Sequence, residues 1–146
     1  MKDWSKKRYW IVGASEGLGL ALAQKMSEAG ASLILTARNE ARLKEIASTL
    51  PNEVEVLPLD ITDLNAVRKS VKKLENVDGF VFLAGAYWPM PAQHWDIEKL
   101  TAMIDVNLIG ALHTLDVILP IFLEKNRGHL VFTGSLAGYR GLPGAL

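Results

Sequence analysis

Short uninterrupted apolar runs alternate along the chain with longer stretches in which apolar residues return at helical spacing. The first run, Tyr9-Trp10-Ile11-Val12, reads as a strand and leads into a glycine-rich turn. A helix is expected from Leu18 to Ala29, with small residues at Ala21 and Ala23 and with Gly30 placed to end it. Leu33-Ile34-Leu35 is the second strand. Asn39 then caps a helix in which Leu43, Ile46, Ala47 and Leu50 form an apolar face for the sheet, and Pro51 stands just beyond its end. Val54-Glu55-Val56-Leu57 is the third strand. Asp63 caps a helix with Leu64, Val67, Val71 and Leu74 along one side and Lys69, Lys72 and Lys73 on its wet side. Phe80-Val81-Phe82-Leu83, without polar interruption, is a buried fourth strand. From Tyr87 to Trp95 prolines and aromatics describe a loop, and Asp96 opens the next helical stretch. A long helix ends near Asn126 to Gly128, His129 to Thr133 forms a fifth strand, and the glycines and Pro143 beyond Gly134 describe a further loop.

This alternation predicts an α/β fold, a doubly wound parallel sheet with helices on both faces. With right-handed crossovers the expected strand order is 3-2-1-4-5, in a single domain over residues 1–146 with no repeat or linker. One consequence is physical. Leu130, Val131 and Phe132 would form an open apolar edge, which proteins usually pair or cover. The edge predicts a continuation of the chain or a partner, such as a second copy in a homo-oligomer.

Charge and composition exclude several function classes. A formal net charge of +0 gives no electrostatic case for nucleic acid or an anionic membrane as partner. Lys6, Lys7 and Arg8 read as the solvated start of the first strand. Cysteine is absent, which removes disulfides, thiolate metal sites and a cysteine nucleophile together. Trp4 and Lys6 precede any apolar run, so no signal-peptide core is expected, and a cytoplasmic location fits. No stretch is expected to span a membrane: Val106 to Leu123 is interrupted by Asn107, His113, Asp116 and Pro120 and reads as a buried helix. His94, His113 and His129 show no metal-ligand spacing and read as structural or surface residues.

The sharpest chemical feature is Gly13-Ala14-Ser15-Glu16-Gly17-Leu18-Gly19, set between a strand and a helix where a dinucleotide pyrophosphate needs it. Gly13 permits the tight turn, Gly17 a close backbone approach, and Gly19 close helix–sheet packing. The helix N-terminus offers free N–H donors and a positive dipole end to phosphates. Ser15, Glu16 and Leu18 are assigned to the cofactor with these glycines.

The spacing Gly-x-x-x-Gly-x-Gly resembles that of the short-chain dehydrogenase/reductase family, and further matches follow in order. Asp60, followed by Ile61 in Leu59-Asp60-Ile61-Thr62-Asp63, resembles the family aspartate that contacts adenine. Phe82-Leu83-Ala84-Gly85 stands where the family usually has Asn-Asn-Ala-Gly. The strand bracing must therefore differ, while Ala84 and Gly85 still admit the cofactor. Asn107 in Val106-Asn107-Leu108-Ile109-Gly110 resembles the catalytic asparagine, and its apolar neighbours imply burial. Thr133-Gly134-Ser135-Leu136-Ala137-Gly138 resembles the segment that presents the catalytic serine, which falls on Ser135.

The resemblance implies a Rossmann-like fold and hydride transfer between a nicotinamide and a small carbonyl or alcohol substrate. NADP(H) is expected over NAD(H). Ala37 stands where NAD-preferring enzymes place an acid, and Arg38 can pair with a 2′-phosphate, although Glu16 is an unfavourable neighbour for that phosphate. In the family a tyrosine and lysine in Tyr-x-x-x-Lys complete the site. Tyr139 cannot stand in, because Pro143 lies four places on. The expectation is a chain truncated after the fifth strand, with little or no turnover on its own. The alternatives are a non-catalytic dinucleotide-binding module and an interaction protein that uses the open edge or the Tyr87–Trp95 loop. Trp88 and Trp95 either flank a substrate site or pack.

Overall fold

The computed structural model describes residues 4–141, so Pro143 lies outside the described residues. Five strands, β1 (Arg8–Val12), β2 (Ser32–Thr36), β3 (Val54–Val56), β4 (Gly79–Phe82) and β5 (His129–Phe132), lie parallel in the order β3-β2-β1-β4-β5. Alternate residues of the central strands feed two separate cores. Trp10, Val12, Ile34, Phe80 and Phe82 meet Val67, Val117, Ile118 and Phe122 on one face, while Tyr9, Ile11, Leu33 and Leu35 meet Ala23, Met26, Leu43 and Ile46 on the other. Burial on both faces explains why these strands read as continuous apolar runs.

The helices are α1 (Gly17–Glu28), α2 (Glu40–Thr49), α3 (Leu64–Lys69), α4 (Ile97–Ile104) and α5 (Gly110–Glu124). The three expected caps form: Asn39, Asp63 and Asp96 accept the N–H groups of Arg42, Ala66 and Lys99, each at 3.0 Å. Past α1, the N–H of Gly30 donates to the Ser27 carbonyl at 2.9 Å. α3 is shorter than the spacing predicts. The buried Ser70 hydroxyl donates back to the Val67 carbonyl at 2.7 Å, and the chain tightens into a 3₁₀ turn over Val71–Leu74. Val67 and Leu74 keep their inward places.

Two expectations about the long helix need correction. α4, a π-turn over Asp105–Ile109 and α5 form one helix of 28 residues, Ile97–Glu124, which by length and composition is apolar enough to cross a membrane. The interrupting polar residues are too few to break its apolar run. It is also not a buried helix. Ala111, Thr114, Val117, Ile118 and Phe122 face the sheet, whereas Ile104, Leu108, Leu112, Leu119 and Leu123 are exposed. Packing on the sheet covers only one side of a helix that is apolar nearly all round.

The edge is as expected: Leu130 and Phe132 are 38% and 42% exposed. Phe132 stacks on its register partner Phe82, with ring centroids 5.7 Å apart and 29° between planes. An aromatic pair therefore braces β4 to β5.

Candidate functional site

Strand order reverses between β1 and β4, which opens a crevice at the carboxyl ends of the sheet. Backbone hydrogen bonds fix its walls. The N–H groups of Gly13 and Ala14 both donate to the Thr36 carbonyl, at 2.8 and 3.1 Å. Leu83 donates to Val12 at 2.8 Å and Leu59 to Ala37 at 3.0 Å, so the loops after four strands are held to one another.

The glycines divide the work. Gly13 lies at φ +89°, and a Cβ there would collide with the backbone of Ala84. A Cβ at Gly19 would strike the Gly13 carbonyl, so the first turn of α1 packs directly on the glycine turn. Gly17, at φ +54°, is different: a Cβ there meets nothing within 4 Å. It opens onto space above the N-terminus of α1, where Glu16 offers no side-chain cap to the first N–H groups. Those donors face the crevice with the positive end of the helix dipole behind them.

The crevice is a cleft of about 680 Å³. Every residue assigned to the cofactor from sequence lines it: Gly13, Ser15, Glu16, Gly17, Leu18 and Gly19 on one wall, with Arg38, Asp60, Ile61, Ala84 and Gly85 around the rest. Thr62, Ala86, Ala102, Asp105 and Val106 line it as well and were not assigned; as neighbours of strand ends and of Asn107 they carry no composition signal of their own. Trp88 lines the cleft and is held by its N–H, 3.3 Å from Met103 Sδ, whereas Trp95 does not line it. Sequence reading also missed Arg42 on α2, whose Nε donates to the Ser15 carbonyl at 3.4 Å.

Asp60 spends its carboxylate locally. It accepts the Thr62 N–H at 2.9 Å and the Thr62 hydroxyl at 2.8 Å. The Thr62 N–H first, then its hydroxyl and the nearby Arg38 charge, hold the Asp60 carboxyl below its ordinary range. Asp60 is therefore ionised at neutral pH. The contribution of this turn to stability is present above the ordinary carboxylate range and is lost only as pH falls through the lowered value.

Asn107 needs correction, for it is exposed and not buried. It sits in the π-turn, on the side facing the loop after β4 and not the sheet, and its neighbour Leu108 is exposed too. Its amide nonetheless has partners. Oδ1 accepts the Ala86 N–H at 2.8 Å and Nδ2 donates to the Ala86 carbonyl at 2.9 Å, clipping the long helix to the cleft wall. Ser135 is exposed after β5 and its hydroxyl accepts the Ala137 N–H at 3.2 Å. Neither Asn107 nor Ser135 lines the cleft itself, and Tyr139 is 93% exposed.

The chain is similar to an uncharacterized oxidoreductase of Staphylococcus epidermidis, 35% identical over 133 residues, covering 88% of this chain and 58% of that protein. A second uncharacterized oxidoreductase, from Staphylococcus saprophyticus, is 32% identical over 137 residues with the same coverage. The chain thus spans 58% of the length of these curated relatives. Among solved structures, serine dehydrogenase from Escherichia coli superposes with a TM-score of 0.88 at 27% identity, over 94% of this chain and 66% of that one. A short chain dehydrogenase from Bacillus anthracis shares the fold, with a TM-score of 0.89 at 19% identity, over 97% of this chain and 62% of that one. The family model for short chain dehydrogenase matches residues 7–146, nearly the whole chain, and the protein belongs to that family.

Proposed function

We propose that the β1–β4 cleft binds NADP(H) and that the chain serves an oxidoreductase acting on a small carbonyl or alcohol substrate. The observation that carries this reading is the open space at Gly17, above uncapped N–H donors, in a cleft that Arg38 also lines. The residues fit the group. The first turn of α1 takes the diphosphate, the adenosine end lies along Asp60–Thr62, and Ala84 and Gly85 let the backbone approach closely. When bound, the dinucleotide supplies the two-electron carrier that these residues lack.

Arg38 is exposed on the rim and takes the 2′-phosphate, where Ala37 presents no competing carboxylate. Arg38→Ala is expected to weaken NADPH binding about 10- to 100-fold, the worth of a charge-assisted hydrogen bond, and to leave NADH binding unchanged. Equal losses for the two dinucleotides in a fluorescence titration would contradict the NADP assignment.

For the chemistry, Ser135 uses its oxygen to accept the Ala137 N–H, which leaves its proton free to donate to a reacting oxygen. Both functions of the Asn107 amide are spent on Ala86, so its side chain positions the cleft wall. No tyrosine in these 146 residues is followed four places on by lysine. The exposed β5 edge favours pairing with further chain or with a second copy.

A further inference from the structure

His113 lies on α5, outside the cleft, yet it acts on the cleft wall. Its Nδ1 is 2.9 Å from the carbonyl of Ile61, 52 residues away in sequence. A carbonyl can only accept, so the ring carries its proton on Nδ1 and donates. One turn earlier on the same helix face, Gly110 leaves room for the Ile61 side chain: a Cβ there would stand 2.7 Å from Ile61 Cγ1 and Cδ1. α5 therefore grips Ile61 twice, by its carbonyl through His113 and by its side chain through Gly110.

Ile61 is buried, and it stands between Asp60 and Thr62, all three lining the cleft. The Asp60–Thr62 turn is closed on itself by the bonds between those two residues. Those bonds fix the shape of the turn. His113 fixes where it stands against the helix.

We propose that His113 is a positioning residue for the nucleotide: by holding the Ile61 carbonyl it places the Asp60–Thr62 wall and so sets the affinity for the adenosine end of the cofactor. The inference rests on the reading of this cleft as the NADP(H) site. Removing the donor frees the Ile61 peptide to turn, and the wall then samples positions that no longer match the ligand. His113 touches neither ligand nor reacting atoms, so the effect appears in binding.

The test is calorimetric titration of the chain with ADP and with NADPH, in the unmodified form and in His113→Leu, His113→Gln and His113→Asn. Asparagine places an amide nitrogen close to where Nδ1 stands, whereas glutamine carries its nitrogen further out and leucine has none. His113→Leu and His113→Gln are expected to bind both ligands about five- to tenfold more weakly, the worth of one hydrogen bond, while His113→Asn stays within about twofold. Should His113→Leu fail to fold, the glutamine and asparagine variants carry the comparison. Unchanged ADP affinity in folded His113→Gln, or a loss in His113→Asn as large as in the others, overturns the role given to His113 and leaves the cleft assignment standing. Failure of the unmodified chain to bind either ligand overturns the assignment and this inference with it.

Discussion

Gly13→Ala is expected to destabilise the fold by about 3 kcal/mol and to lower the melting temperature by about 10 °C, whether or not nucleotide is present. The cost has two sources. At φ +89° an L side chain is strained, by about 1–2 kcal/mol. The added Cβ also meets the backbone of Ala84 and Leu83, not the tip of a mobile side chain, so relief requires the ends of β1 and β4 to move apart. Those ends are tied by the Leu83 N–H to the Val12 carbonyl at 2.8 Å, and the turn itself by Gly13 to Thr36 at 2.8 Å. Against a total stability of about 5–15 kcal/mol, the loss is large and is read by calorimetry of the variant without ligand.

Gly17→Asp is expected to do the reverse, leaving stability within about 1 kcal/mol while weakening NADPH and NADH alike by about 100-fold or more. Aspartate tolerates φ +54° better than most residues, nothing outside its own helix turn and chain neighbours lies within 4 Å of the new Cβ, and a carboxylate at a helix N-terminus is favourable. The same carboxylate fills the space assigned to the diphosphate and opposes its charge. At about 4 Å, with an effective dielectric constant of about 20, repulsion between unit charges is about 4 kcal/mol. A folded variant that binds NADPH as tightly as the unmodified chain would show that the phosphates lie elsewhere.

Much of this architecture was legible because it is written in local chemistry. Asn39, Asp63 and Asp96 start helices with their own side chains, Gly30 ends one, and apolar runs such as Tyr9–Val12 mark strands buried on both faces. The glycine motif placed the cleft, since its positions answer to backbone geometry that few residues satisfy. Much of what escaped depends on contacts distant in sequence. Apolar neighbours do not tell what covers a segment: they predict burial for Asn107 and for the outer side of α5, and both are exposed. Ser70 bending back to Val67 shortened α3, a competition between side chain and backbone that periodicity does not register. His113 read as a bland residue because Ile61 is 52 positions away, and Arg42 because its partner is a main-chain carbonyl.

The most direct measurement of the central claim is a titration of the unmodified chain with NADPH and with NADH, following tryptophan emission. Trp88 lines the cleft, and the buried Trp10 donates its indole N–H to Thr36, which lines it too, so a dinucleotide in that space is expected to quench at least one indole. Saturable quenching by both, tighter for NADPH, is the predicted result. A folded chain whose emission and calorimetric signal respond to neither would contradict the assignment of the β1–β4 cleft as a dinucleotide site.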